Sequence, residues 1–144
     1  MMKLLIFSGP PGSGKTTLSK EIAAKQNMLR VSFDEEHCLQ HKELVPLVIE
    51  ALRNGRSVVV DAVYAERRHR TDLLSAVTDI PCHKTLIYMA TPIDECVRRN
   101  AQRINPLPEF MVIGMYNAFE PPDLNEGWDE IREVRPYEVN LASD

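Results

Sequence analysis

The residues best equipped for chemistry lie together near the amino terminus. Gly9-Pro10-Pro11-Gly12-Ser13-Gly14-Lys15-Thr16-Thr17 fits the spacing G-x-x-x-x-G-K-[ST]. Glycines at these positions let the backbone wrap with its N–H groups pointing inward, at close range to phosphate oxygens. A helix starting near Lys15 would add the positive end of its dipole to the same spot. The Lys15 ammonium can then reach β- and γ-phosphates, and the Thr16 hydroxyl can ligate magnesium. Gly9, Pro11, Gly12, Ser13, Gly14, Lys15, Thr16 and Thr17 are therefore the expected donor-phosphate loop. A glycine-rich turn with an incidental lysine is the bland alternative. The apolar run before the loop and the helical spacing after it favour phosphate binding.

Two carboxylates follow apolar stretches. Asp34 comes after Leu29-Arg30-Val31-Ser32-Phe33, near the carboxyl end of an expected strand. Ligands of open α/β sheets collect outside such ends. Asp34 could accept the proton of an attacking hydroxyl, and it would equally suit the N-cap of a helix through Glu35-Glu36. Asp61 ends Val58-Val59-Val60, where a carboxylate would hold magnesium through water or orient an acceptor.

Arginines supply the third ingredient. Arg98, Arg99 and Arg103 lie on an expected helix over residues 93–103, with Arg99 and Arg103 four apart on one face. Phosphoryl transfer spreads charge over several oxygens, and a mobile arginine can stabilise it. Asn105-Pro106-Leu107-Pro108 makes a plausible hinge, so residues 98–108 read as a lid that would exclude water. A second basic group, Arg67-Arg68-His69-Arg70, could meet an acceptor's phosphates or simply begin a solvent-facing helix.

The elements that must position these residues alternate along the chain. Strands are expected at 3–8, 28–33, 58–60 and 85–89, with a last one near 131–134 or 137–139. Helices are expected at 16–25, 44–52, 66–77, 93–103 and 109–118. Alternation with short connections predicts an α/β domain of three layers, a central parallel sheet with helices on both faces, spanning residues 1–144 as one P-loop NTPase fold. The irregular stretch 120–129 is long for a compact domain, and Trp128 within it either anchors it on the core, the favoured reading, or stacks on a base.

Composition narrows the function classes. The chain has 144 residues, 44% of them hydrophobic, and a formal net charge of −4, which gives little general attraction to nucleic acid. Cys38, Cys82 and Cys96 form no CxxC pair, so reduced thiols are expected rather than a zinc site or disulfide framework. The four histidines show no metal-ligand spacing and read as surface residues. The first apolar run is too short for a signal peptide or membrane span, and a cytoplasmic protein is expected.

Taken in order, the loop ending at Thr17, Asp34, the Val-Val-Val-Asp ending at Asp61, the stretch from Val97 to Arg103, Phe119-Glu120-Pro121-Pro122 and Glu126-Gly127-Trp128 resemble the kinase domain of the polynucleotide 5′-hydroxyl kinases. The resemblance covers nearly the whole chain. It implies that Asp34 is the general base for an acceptor 5′-hydroxyl and that Lys15 and Thr16 hold ATP and magnesium. It further implies that Arg103 belongs to a lid over the donor phosphates and that Asp61 supports the acceptor side. One departure stands out. Where that family has an arginine for the acceptor's 3′-phosphate, this chain has Glu35-Glu36-His37-Cys38-Leu39.

The leading expectation is an ATP- and magnesium-dependent kinase with a nucleic acid 5′-hydroxyl acceptor. Asp34, Lys15 and Arg103 would be catalytic, Arg99 would join Arg103 on the nucleotide, and Thr16 would hold the metal with Asp34 or Asp61 through water. A small-molecule or tRNA-linked acceptor is the alternative. A nucleotide-binding protein with little turnover ranks last, and the Asn-Lys-x-Asp signature of guanine switches is absent.

Overall fold

A computed structural model of the protein describes residues 1–135. Five parallel strands make one sheet: β1 (Lys3–Ser8), β2 (Leu29–Ser32), β3 (Val58–Asp61), β4 (His83–Met89) and β5 (Glu130–Val134). Their spatial order is β2-β3-β1-β4-β5. The helices are α1 (Lys15–Gln26), α2 (Val45–Arg53), α3 (Arg67–Ala76), α4 (Ile93–Ala101) and α5 (Glu109–Asn117). Short 3-10 turns occupy His41–Leu44 and Leu124–Glu126. The last expected strand falls at Glu130–Val134, and its alternative at residues 137–139 lies outside the described residues.

The apolar runs of the central strands are explained by burial on both faces. Leu4 and Ile6 pair with Val58 and Val60 in parallel register. With Leu86 they pack against Val48 and Leu52 of α2 and Leu73 and Leu74 of α3. The intervening residues Leu5, Phe7, Val59 and Ile87 point the other way and meet Leu18, Ile22 and Ala23 of α1. Trp128, only 4% exposed, joins the first of these clusters, so it does anchor its loop. Pro46 sits in the first turn of α2, where a missing N–H costs nothing.

The connection from β1 runs toward β2 and that from β4 toward β5, on opposite sides of the sheet. Adjacent strands that diverge in this way open a crevice at their carboxyl ends, where ligands bind.

Two local expectations change. Helix α4 stops at Ala101, two residues before Arg103. The amides of Gln102 and Arg103 turn back onto the carbonyls of Arg99 and Asn100, each at 3.1 Å. The cause is Asn100, which is buried and bonds both backbone groups of Leu107, donating to its carbonyl at 2.8 Å and accepting from its N–H at 3.3 Å. That clamp closes residues 100–107 into a loop, so Arg103 does not share a helix face with Arg99. The segment after β2 also forms no helix. His37 donates to the Asp34 carbonyl at 3.1 Å within a run of turns, and His37 itself is left-handed at φ 54. Asp34 therefore caps nothing.

Candidate active site

The crevice holds a cavity of about 830 Å³. Pro11, Gly12, Gly14, Lys15, Thr16 and Thr17 line it together with Asp34, Asp61, Arg99 and Arg103. Most of the residues singled out by type and spacing thus converge on one space, but two members of the loop stay apart from it. Gly9 and Ser13 do not line it. The Gly9 N–H is committed to the Val63 carbonyl at 2.9 Å, so it is not a phosphate donor. Ser13 is fully buried within the loop, its hydroxyl without a hydrogen-bond partner among the described residues.

The loop's shape follows from its glycines and its anchors. Gly14 has φ 97, a left-handed value that L side chains rarely adopt, and it directly precedes α1. Gly12 lies so close to the backbone of α4 that a Cβ there would collide with the Cys96 carbonyl. The buried Thr91 donates its hydroxyl to the Ser13 carbonyl at 2.7 Å, tying the loop to the segment after β4. A wrapped backbone at a helix amino terminus is the arrangement that a polyphosphate needs.

Lys15 reaches back to this loop, with Nζ 3.4 Å from the Pro10 carbonyl. Burial lowers its pKa, and the neighbouring carboxylates of Asp61 and Asp34 partly offset that. Thr16 is an exposed residue that lines the cavity.

Asp61 is 4% exposed and does not stand alone. Arg30 of β2 donates Nη2–H to its Oδ2 at 2.5 Å, and the Ser19 hydroxyl lies 3.3 Å from the same oxygen. Arg30 also donates from Nε to Ser19 at 2.9 Å and from Nη1 to Glu35 at 2.8 Å. Burial alone would lower the Arg30 pKa, but the Glu35 and Asp61 carboxylates hold it raised. Arg30 therefore neutralises one of the two glutamates that follow Asp34 and fixes Asp61 at the same time. Its signal was legible: a cation inside an apolar strand needs a buried partner.

Asp34 is largely exposed and reaches Arg103, whose Nη2 lies 3.6 Å from its Oδ2. Arg99 is held by Glu95, which accepts from its Nε at 2.8 Å, and its Nη1 would lie 3.2 Å from a Cβ placed at Gly14. Glu95 also accepts from Arg98, whose Nε lies 3.0 Å away and which does not line the cavity. These two arginines hold the Glu95 carboxyl down at about 2. Glu95 was missed in the sequence, although it stands three and four residues before its partners on one helix. Thr91 left no such signal.

Arg67-Arg68-His69-Arg70 does begin a helix, α3, with Arg67 and Arg68 facing solvent, but Arg70 departs from both expectations. Arg70 is completely buried. It donates to both Glu126 oxygens at 2.9 and 3.0 Å and to the carbonyls of Tyr64, Ala65 and Glu120. It locks the 120–129 loop to α3 and is unavailable to any acceptor. The three cysteines are free thiols, as expected; burial pushes the Cys96 thiol up to about 11. The described residues contain no group of three or more His, Cys, Asp or Glu that could hold a metal, and no described helix is long and apolar enough to cross a membrane.

Fold and loop together define a P-loop domain of the kinase-like, three-layer α/β kind. The chain belongs to the AAA domain family, whose family model matches residues 4–122. The L-seryl-tRNA(Sec) kinase of Methanococcus maripaludis is 28% identical over 144 residues, an alignment covering 88% of this chain and 56% of that protein. The chain thus spans little more than half the length of that relative. Among solved structures, Chaetomium thermophilum Kti12 in complex with ADP-AlF3 superposes with a TM-score of 0.78 at 14% identity, over 92% of this chain and 88% of that one. A fungal RNA kinase superposes at 0.76 with 16% identity, over 93% of this chain and 38% of that one. At such identities these two structures speak to the fold.

Proposed function

We propose that the domain is an ATP- and magnesium-dependent kinase that transfers a γ-phosphoryl group to a hydroxyl, the acceptor being a nucleic acid 5′-hydroxyl end. The observation that carries it is the meeting of Lys15, Asp34 and Arg103 at one cavity, with Asp34 and Arg103 3.6 Å apart. In this reading the amides of residues 12–17 and the Lys15 ammonium hold the donor phosphates. Asp34 takes the proton of the acceptor hydroxyl, whose oxygen attacks the phosphorus in line. Lys15, Arg99 and Arg103 stabilise the charge that moves toward the leaving ADP. The loop fits magnesium as well: Thr16 offers an oxygen at the cavity, with Asp34 or Asp61 placed to act through water. The ion would neutralise phosphate charge.

The lid reading is carried by residues 101–106, an exposed loop pinned at its two ends by the Asn100–Leu107 clamp and bearing Arg103. Closure there would bring Arg103 over the donor and keep water out. A cytoplasmic location suits three free thiols.

A second acceptor has its own support. The similarity to a seryl-tRNA kinase over 88% of this chain favours a tRNA-linked hydroxyl. Labelled ATP offered with 5′-hydroxyl oligonucleotides, seryl-tRNA, nucleosides and small alcohols separates the two. Label on oligonucleotide 5′ ends, abolished in Asp34→Asn and Lys15→Ala, is the expected result. Label on seryl-tRNA alone would replace the first acceptor with the second. Unchanged ATP affinity in Lys15→Ala would end the kinase reading itself.

A further inference from the structure

A second cavity, about 430 Å³, opens beside the first. Its size is in the range of small-ligand sites, roughly 300–1,000 Å³. The two are joined by a row of rings. Phe33, next to Asp34, lines the first cavity and lies 5.3 Å from the His41 ring, which lines the second. His41 is packed in turn on Tyr64 at 4.7 Å and stacked on His69 at 4.3 Å with an interplanar angle of 24°.

This wall carries two costs. Tyr64 is fully buried in a left-handed conformation, φ 38, rare for a bulky residue. Its hydroxyl has no hydrogen-bond partner among the described residues. Strained backbone and orphaned polar atoms gather at functional sites more than elsewhere. The conformation is pinned from three sides. The Tyr64 carbonyl accepts from Ser8 at 3.0 Å and from Arg70 at 3.1 Å, and its N–H donates to His41 Nε2 at 3.4 Å.

The charges around the second cavity nearly cancel. Lys42, Arg68 and Asp72 line it, and Glu66 beside it pairs with Arg68 at 3.3 Å and lies 3.4 Å from His69 Nδ1. His41, with its pKa lowered to about 4 by burial and then by His69, stays neutral. The His69 ring, stacked on His41 on one side, is one quarter exposed. A neutral space with a ring for a wall and polar groups on its rim suits an uncharged, flat, hydrogen-bonding ligand better than a phosphate.

We propose that the second cavity receives a nucleobase of the acceptor strand, stacked on His69, while the strand's 5′-hydroxyl lies beyond Phe33 at Asp34. The inference rests on the 5′-hydroxyl acceptor reading and names how the strand is gripped. It also accounts for the missing phosphate-binding arginine after Asp34: the grip is on a base rather than on a phosphate.

The test is binding of a short fluorescent 5′-hydroxyl oligonucleotide, followed by anisotropy, to the full chain and to His69→Ala and His69→Phe. Each is compared with the same oligonucleotide carrying abasic units in place of its first bases. Stacking losses run at roughly 1–3 kcal/mol per base, so His69→Ala should bind the intact strand about tenfold more weakly. It should bind the abasic strand as the unaltered protein does, and His69→Phe should keep the affinity for the intact strand. Equal affinity of His69→Ala and the unaltered protein for the intact strand overturns the inference. So does an equal loss on both strands. If the unaltered protein phosphorylates oligonucleotides in either case, the acceptor reading survives. If it binds ATP yet neither binds nor phosphorylates any oligonucleotide, both readings fall.

Discussion

Two arginine clusters, alike in composition, are put to opposite uses. Arg98, Arg99 and Arg103 begin the comparison as one short basic run and Arg67, Arg68 and Arg70 as another. From the first, Arg99 and Arg103 arrive at the cavity, one tethered by Glu95 and the other beside Asp34. From the second, Arg70 vanishes into the interior and seals a loop through Glu126. What separates them is the third element each meets. The end of α4 faces an open crevice, whereas α3 is crossed by the 120–129 loop, which brings a carboxylate only 2% exposed. A buried guanidinium needs such a partner and five satisfied donors, and Arg70 has carbonyls for the rest.

The contrast is easiest to break at Arg70. Arg70→Ala leaves the buried Glu126 carboxylate with only the half-exposed Arg67 at 3.3 Å and the Trp128 Nε1–H as side-chain partners, which should cost about 3 kcal/mol of stability. Urea unfolding checks this, and an unaltered midpoint would remove the rivet from the account. The pair also predicts a pH limb. Burial would raise the Glu126 pKa, but hydrogen bonds from Arg70 and Trp128 hold it below its ordinary value. A depressed carboxylate stabilises above its unfolded pKa, near 4.3, and that contribution is lost as the pH falls through the folded value. Melting points of Glu126→Gln and the unaltered protein, taken from neutral pH down to acid, should converge at the acid end.

Arg103→Ala should do the reverse, leaving the melting point in place while kcat for phosphoryl transfer drops about 10²–10³-fold. An Arg103→Ala protein that unfolds early but turns over normally would make the two clusters equivalent. Glu95→Gln should sharpen the comparison within the first cluster. It loosens Arg99 against Gly14 and should raise the KM for ATP about tenfold, with Arg103 untouched. Because its arginines keep Glu95 ionised to about 2, this tether should survive acid that titrates ordinary carboxyls. The smallest effect belongs to Arg68→Ala. Arg68 is exposed and paired with Glu66 at the surface, so stability should move by no more than about 0.5 kcal/mol in thermal melts.

Much of the architecture was legible because it rests on local patterns. The valine run of β3, the apolar run of β1 and the helical spacing of Leu18, Ile22 and Ala23 each state their burial directly. The phosphate loop was legible for the same reason, since its glycines and Lys15 are adjacent in the chain. The ends of elements were less so. Nothing local in residues 93–103 says that α4 stops at Ala101, because the stop is made by an asparagine that binds a residue seven positions on. Within the site, Asp61 was found but its company was not. Arg30, Ser19 and Asp61 come from β2, α1 and β3 and meet only once the sheet is assembled.

By itself the sequence determined the chemistry the chain carries: a glycine-rich wrap for phosphates, a lysine above it and carboxylates after strands two and three. Those properties belong to residue types and short spacings, and they persist in any compact arrangement. Tertiary structure alone decided which charges stay free to act. Burial and partner geometry depend on contacts between distant segments, and these turned Arg70 into a bolt, quieted Glu35 through Arg30 and left Asp34 paired with Arg103 at the edge of an open cavity.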